Sequence, residues 1–279
     1  MRTLSPRSEE ADLARMALAA CEEGDHARLR EILSQEPDFD VNITDGKNGA
    51  SLLVTTILHN HIECAKLLIE AKANIDVACG QDNETALHVC CARGRKEMTR
   101  LLLEAGAELN PEDMLGRSPL LMSCLLDKSE CTALMLKSKA NIEQPMTKRN
   151  PGATPLYAAA LKGSTKCVTL LCEASANPNA QNRDGATPLM VSCQEGHLEV
   201  SMILSSYGSS REMRPWKGFL PKSGSWAEEL AKRSGNNQLV RWLKESTVCG
   251  SSACPPACLS TPLPDCLTAA SQCHACLRL

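Results

Sequence analysis

His59 and His61 stand two residues apart, with Glu63 close behind. Two imidazoles and a carboxylate are metal-ligating groups, but a bound ion needs further ligands converging on one point. The pair falls at a helix junction and reads as surface. Near the C-terminus, Cys273-His274-Ala275-Cys276 carries the one tight C-x-x-C spacing, and Cys254 and Cys258 lie upstream. A zinc knot there would use Cys254 and Cys258 with Cys273, Cys276 or His274, but a single tight spacing is a weak signal, and no metal is expected. The last four residues, Cys276-Leu277-Arg278-Leu279, have the outline of a prenylation box, although Arg278 sits where an aliphatic residue is preferred. No Gly-x-Gly-x-x-Gly, phosphate loop, His-Glu-x-x-His or Gly-x-Ser-x-Gly occurs. The residues assemble no catalytic constellation and imply no cofactor, so no enzyme is expected.

The composition narrows the field further. Formal net charge is −3, from 30 basic and 33 acidic residues, which gives no long-range pull on phosphate. Aromatics make up only 3 %, a poor basis for stacking nucleic-acid bases. No stretch reaches the roughly 20 apolar residues that span a bilayer. Glu9, Glu10 and Asp12 stand where a signal peptide requires an apolar run. A cytoplasmic or nuclear protein is expected, with its 16 Cys reduced rather than bridged. Cys90, Cys91, Cys124 and Cys193 then act as small hydrophobes.

The organisation is periodic. Thr85-Ala86-Leu87-His88 and Ser118-Pro119-Leu120-Leu121 start 33 residues apart (118 minus 85), as do Thr154-Pro155-Leu156-Tyr157 and Thr187-Pro188-Leu189-Met190 (187 minus 154). A weaker version, Ser51-Leu52-Leu53-Val54, lies 34 before Thr85 (85 minus 51). Within a unit, a Ser or Thr N-cap opens a short apolar helix. In the unit that starts at Thr85, Gly94 ends that helix, and Met98, Leu101, Leu102 and Leu103 give a second helix its buried face. Asp127 and Asn60 replace the terminating glycine in two units. Helices this short are unstable alone, so neighbours must bury their stripes.

Together with Leu101-Leu102-Leu103-Glu104-Ala105-Gly106-Ala107 and Asn110, these motifs resemble the ankyrin-repeat family over roughly residues 10–246. The resemblance implies an all-α ankyrin-repeat solenoid of six to seven helix-turn-helix repeats with β-turn or hairpin loops. The repeats fall near 10–44, 48–80, 82–114, 115–147, 151–183 and 184–210, with a C-terminal cap at 222–246. The first is expected to run as a helix over 8–24, N-capped by Ser8, then a second from Asp25 to Leu33. Small insertions lie near Gln144 to Pro151 and from Gly208 to Ser225, the latter with Trp216 and Phe219. Residues 247–279 hold six Cys and four Pro but only two charged residues, and read as a disordered tail.

The resemblance also implies a function: a non-enzymatic module that holds a protein or peptide in a concave groove, acting as a monomer without nucleic acid. The family binds through loop tips and the exposed ends of the first helices. Here those positions give Leu58, His59, Arg93, Leu125, Leu126, Leu161, Lys162, Gln194 and Glu195, with Met114, Arg117 and Arg183 on the tips. Four leucines at usually polar positions suggest an apolar groove. His88 matches the family's structural histidine, which bonds backbone between repeats. Leu103, Glu108 and Asn110 match the spacing that ankyrin-directed asparaginyl hydroxylases prefer, which marks Asn110 as a modification candidate. Two alternatives remain: a substrate adaptor of a ubiquitin ligase, whose recruiting box Pro262-Leu263-Pro264 faintly resembles, or the ankyrin part of a larger enzyme or channel.

Overall fold

The computed structural model describes residues 6–45, 49–213, 215 and 225–248. Among them, all regular structure is helical, apart from two isolated antiparallel bridges, Thr44 with Ser51 and Cys79 with Glu84. The chain divides into two compact units at the Pro155–Leu156 bond. The first holds α1 (Pro6–Glu23), α2 (His26–Gln35), α3 (Leu52–His59), α4 (Ile62–Glu70), α5 (Ala86–Arg93), α6 (Lys96–Glu104), α7 (Pro119–Leu125) and α8 (Ser129–Lys137). The second holds α9 (Pro155–Lys162), whose first residue precedes the division, α10 (Thr165–Glu173), α11 (Pro188–Glu195), α12 (Leu198–Ser206), α13 (Trp226–Arg233) and α14 (Asn237–Val248).

In the first unit the odd-numbered helices pack in the order α1, α3, α5, α7, and the even-numbered ones in the order α2, α4, α6, α8. The reason lies in the patterns. Leu87, Val89, Cys90 and Cys91 of α5 are all buried, so this helix has neighbours on nearly every side. On α6 only Met98, Thr99 and Leu102 are fully buried, a single stripe facing inward. Leu101 and Leu103, expected in that stripe, are half-buried at its edges. In the second unit, α10 packs on α12, α11 on α12 and α13, and α13 on α14.

Caps follow the sequence. Ser51, Ser118, Thr187 and Ser225 each accept a backbone N–H from three residues on. Asn60 and Asp127 stand where glycine was expected, with φ of 63° and 54°. Their short polar side chains make the left-handed region tolerable. One cap differs from expectation. The first helix begins at Pro6, so Ser8 lies inside it, not at its N-cap. Proline at a first helical position wastes no hydrogen bond and presets φ. The second helix is capped by Asp25, which accepts from Arg28 N, and runs on to Gln35. At the other end α14 reaches Val248, two residues past the expected boundary.

Candidate partner-binding surface

The surface is built from two kinds of position, the C-terminal ends of the first helices and the hairpin tips. Leu58 and His59 close α3, Arg93 closes α5, Leu125 closes α7 and Leu126 caps it. Arg93 and His59 are exposed, and Leu58 and Leu125 are half-buried. Leu126 is 42 % exposed, unusual for so large an apolar side chain. In the second unit Leu161 and Lys162 close α9, and Gln194 and Glu195 close α11. Leu161 is half-buried; Lys162, Gln194 and Glu195 are exposed. Thus Leu126 alone of the four leucines is openly presented.

At three helix ends a residue just past the cap ties one repeat to the one before. His61 Nε2 bonds the Glu22 carbonyl at 3.0 Å, and His197 Nε2 bonds the Leu161 carbonyl at 3.2 Å. Asn236 Nδ2 donates to the Gly196 carbonyl at 2.8 Å. The imidazoles pack so closely over Gly24 and Gly163 that a Cβ at either glycine would collide with the ring. His61 is therefore occupied by structure. His59 bonds the Thr55 carbonyl at 3.0 Å and stacks on His61 with ring centroids 6.1 Å apart. No group of three or more metal-ligating side chains converges among the described residues.

His88 has the same structural character. Its Nδ1 accepts from the Thr85 N–H at 3.2 Å and pairs with the Thr85 hydroxyl at 2.9 Å. That leaves Nε2 to donate to the Arg117 carbonyl of the next repeat at 2.9 Å. The ring is fully buried, and burial lowers its pKa, so it stays neutral. The expected backbone bond between repeats is present.

At the tips, Asp113 organises one hairpin. Its buried carboxylate accepts from Leu115 N, from Arg117 N and, at 2.5 Å, from Arg117 Nε. Arg117 also reaches Glu84 at 3.4 Å. Burial raises the pKa of Glu84, and the Arg117 guanidinium opposes it. Arg117, chosen from sequence as a contact residue, is thus half-buried and committed to its own hairpin. Met114 is 51 % exposed beside it, with its N–H donating to the Asp82 carbonyl at 2.7 Å. In the second unit Asn182 plays the part of Asp113, accepting from Asp184 N and Ala186 N, and Arg183 is exposed on that tip.

A further set of bonds escaped the sequence. Asn42 Oδ1 accepts from Asn74 N, Asp76 Oδ1 from Glu108 N, Asn110 Oδ1 from Asn141 N and Asn179 Oδ1 from Ser210 N, at 2.7–2.9 Å. These acceptors recur 34 residues apart from Asn42 to Asp76 and from Asp76 to Asn110. That recurrence was the available signal. Asn110 lies in the bend after α6 and is exposed, but its carboxamide is engaged in this ladder.

The ten cysteines among the described residues are all buried free thiols. Burial pushes the pKa of Cys172 up to about 12 and of Cys193 up to about 11. A thiol held protonated is a poor nucleophile. Cys90, Cys91, Cys124 and Cys193 therefore pack, as the sequence suggested. Trp216, Phe219, Cys273, Cys276 and the terminal Cys-Leu-Arg-Leu lie outside the described residues.

Paired short helices, glycine-type caps, hairpin tips and side-chain ties to the next copy define a helical repeat protein of the interaction-module class. The family of ankyrin repeats (three copies) matches residues 16–113 and 111–182, more than half of the chain, and the chain belongs to that family. The human ASB11 ankyrin repeat domain is similar in structure, with a TM-score of 0.68 and 26 % identity, covering 81 % of this chain and 96 % of that one. In sequence, tyrosine-protein kinase HTK16 of Hydra vulgaris is 31 % identical over 123 residues, 44 % of this chain and 16 % of the kinase. Human ankyrin repeat and SOCS box protein 16 is 31 % identical over 160 residues, 57 % of this chain and 34 % of that protein. The match therefore spans only about a sixth to a third of these two relatives.

Proposed function

We propose that this chain is a non-enzymatic module that holds a protein or peptide partner on its first-helix ends and hairpin tips. The observation that supports it is Leu126, 42 % exposed at a helix end where other repeats carry Arg93, His59 and Lys162. An apolar side chain left in water at a rigid position gains on being covered, and rigidity keeps the ordering cost low. Leu126→Asp should remove the partners captured by proximity labelling in cells while shifting the melting temperature by less than about 2 °C. Labelling that is unchanged by the substitution sinks the reading.

A second reading, a ubiquitin-ligase substrate adaptor, draws on the similarity to human ankyrin repeat and SOCS box protein 16. The matched stretch holds the repeats in common, and Pro262-Leu263-Pro264 lies outside the described residues. Co-purification of elongins with the full chain tests it. The buried reduced thiols are suited to a cytoplasmic or nuclear setting, which imaging of the tagged chain checks.

A further inference from the structure

The step from Ser118 to Thr154 is 36 residues, three longer than the 33 of its neighbours on either side. The extra length falls at the hairpin tip around Thr147-Lys148-Arg149-Asn150, between the buried Met146 and Ala153. Lys148 and Arg149 are both exposed. Neither has a hydrogen-bond or ion-pair partner among the described residues, in contrast to Arg117, Lys96 and Lys66 in the same unit. The tip is nevertheless firmly placed. Thr147 N donates to the Gly116 carbonyl at 3.2 Å, and Thr147 Oγ1 donates to Glu112 Oε2 at 2.9 Å. Gly116, with φ of 72°, leaves no room for a Cβ against Thr147. This fit joins the lengthened tip to the preceding one, which carries Met114, 51 % exposed.

Two free cations and an open methionine thus share one pair of linked, pre-organised tips. We infer that this pair anchors an acidic protein segment, carboxylates against Lys148 and Arg149 and an apolar side chain against Met114. The inference rests on the interaction-module reading and specifies the partner's chemistry. A nucleic acid is disfavoured by the carboxylate of Glu112 within the same joint and by the acidic Asp82 next to Met114. A polyanion would meet both, whereas a short peptide can place its charges on one side. Methionine adapts its shape to varied apolar partners.

The test uses the full chain and a fluorescein-labelled peptide of Glu and Asp around a central Phe-Leu pair, followed by anisotropy at low salt. A Lys-based analogue, a Glu/Asp peptide with Ala for Phe-Leu, and oligo-dT serve as the other arms. The acidic Phe-Leu peptide should bind best. Lys148→Glu with Arg149→Glu should weaken it about tenfold or more, and added salt should do the same in the parent. Met114→Ser should erase the advantage of Phe-Leu over Ala. Equal binding to the parent and the charge-reversed chain, no binding of the acidic peptide, or preference for oligo-dT or the Lys peptide would each overturn the inference. If the peptide fails while Leu126→Asp still abolishes cellular labelling, the module reading stands and only the partner chemistry falls.

Discussion

Replacing His88 by alanine tests the bonding between repeats most directly. The imidazole is fully buried and serves two repeats at once, through Thr85 on one nitrogen and the Arg117 carbonyl on the other. Its loss removes one of the two hydrogen bonds on that carbonyl, which keeps the Asp113 N–H at 3.0 Å, at a cost of about 0.5–1.5 kcal/mol. Weakening the α5 cap adds about 1 kcal/mol, and the vacated ring volume adds more. A loss of about 3 kcal/mol is expected from urea unfolding followed by circular dichroism. The pH dependence supplies a second readout. Burial lowers the pKa of His88 from its ordinary 6.5, so the unfolded chain binds the proton first. The stability it provides is full above about pH 6.5 and is lost as pH falls from there toward the folded value. The gap between parent and His88→Ala should therefore shrink as pH falls from about 7.5 to 5.5. A destabilisation below about 1 kcal/mol, or a gap that is constant with pH, would refute the assigned bonds.

Two other substitutions and labels probe the packing. Gly163→Ala meets both a φ of 73° and the His197 ring, whereas Gly106→Ala at φ 86° has nothing within 4 Å. The first should cost at least about 2 kcal/mol more than the second, measured as parallel melting curves, because it adds a steric clash to the shared left-handed strain. Cys172 and Cys193 should resist alkylation at neutral pH in the folded chain and react once urea is added, as mass spectrometry of the peptides would show. Rapid native labelling of either would mean that its site opens readily.

The sequence made the repeat visible because one polar residue must open each first helix and a small apolar run must follow. Thr85, Ser118, Thr154 and Thr187 recur for that reason, and the unusual helix ends at Asn60 and Asp127 could be placed from the phase alone. Side chains that act across copies were harder to read. His61 and His197 look like surface histidines until the glycine they cover is identified in the preceding repeat. Arg117 looked available because its anchor, Asp113, makes its bonds through hairpin geometry that no local pattern reports. Of the leucines, phase fixed the position but not the depth. Leu58, Leu125 and Leu161 are partly covered, and Leu126 is exposed because it sits one residue further on, at the cap.

The ladder from Asn42 through Asp76 to Asn110 has a mechanical corollary. Each rung joins a copy only to the next one along, so under a force applied at the end of the first unit the outermost copy, held by a neighbour on one side only, yields first. Under tension such an array peels, releasing about 110 Å of chain for each 33-residue copy, in place of rupturing all at once. Refolding under a relaxed load would re-zip in the reverse order, as a spring recoils.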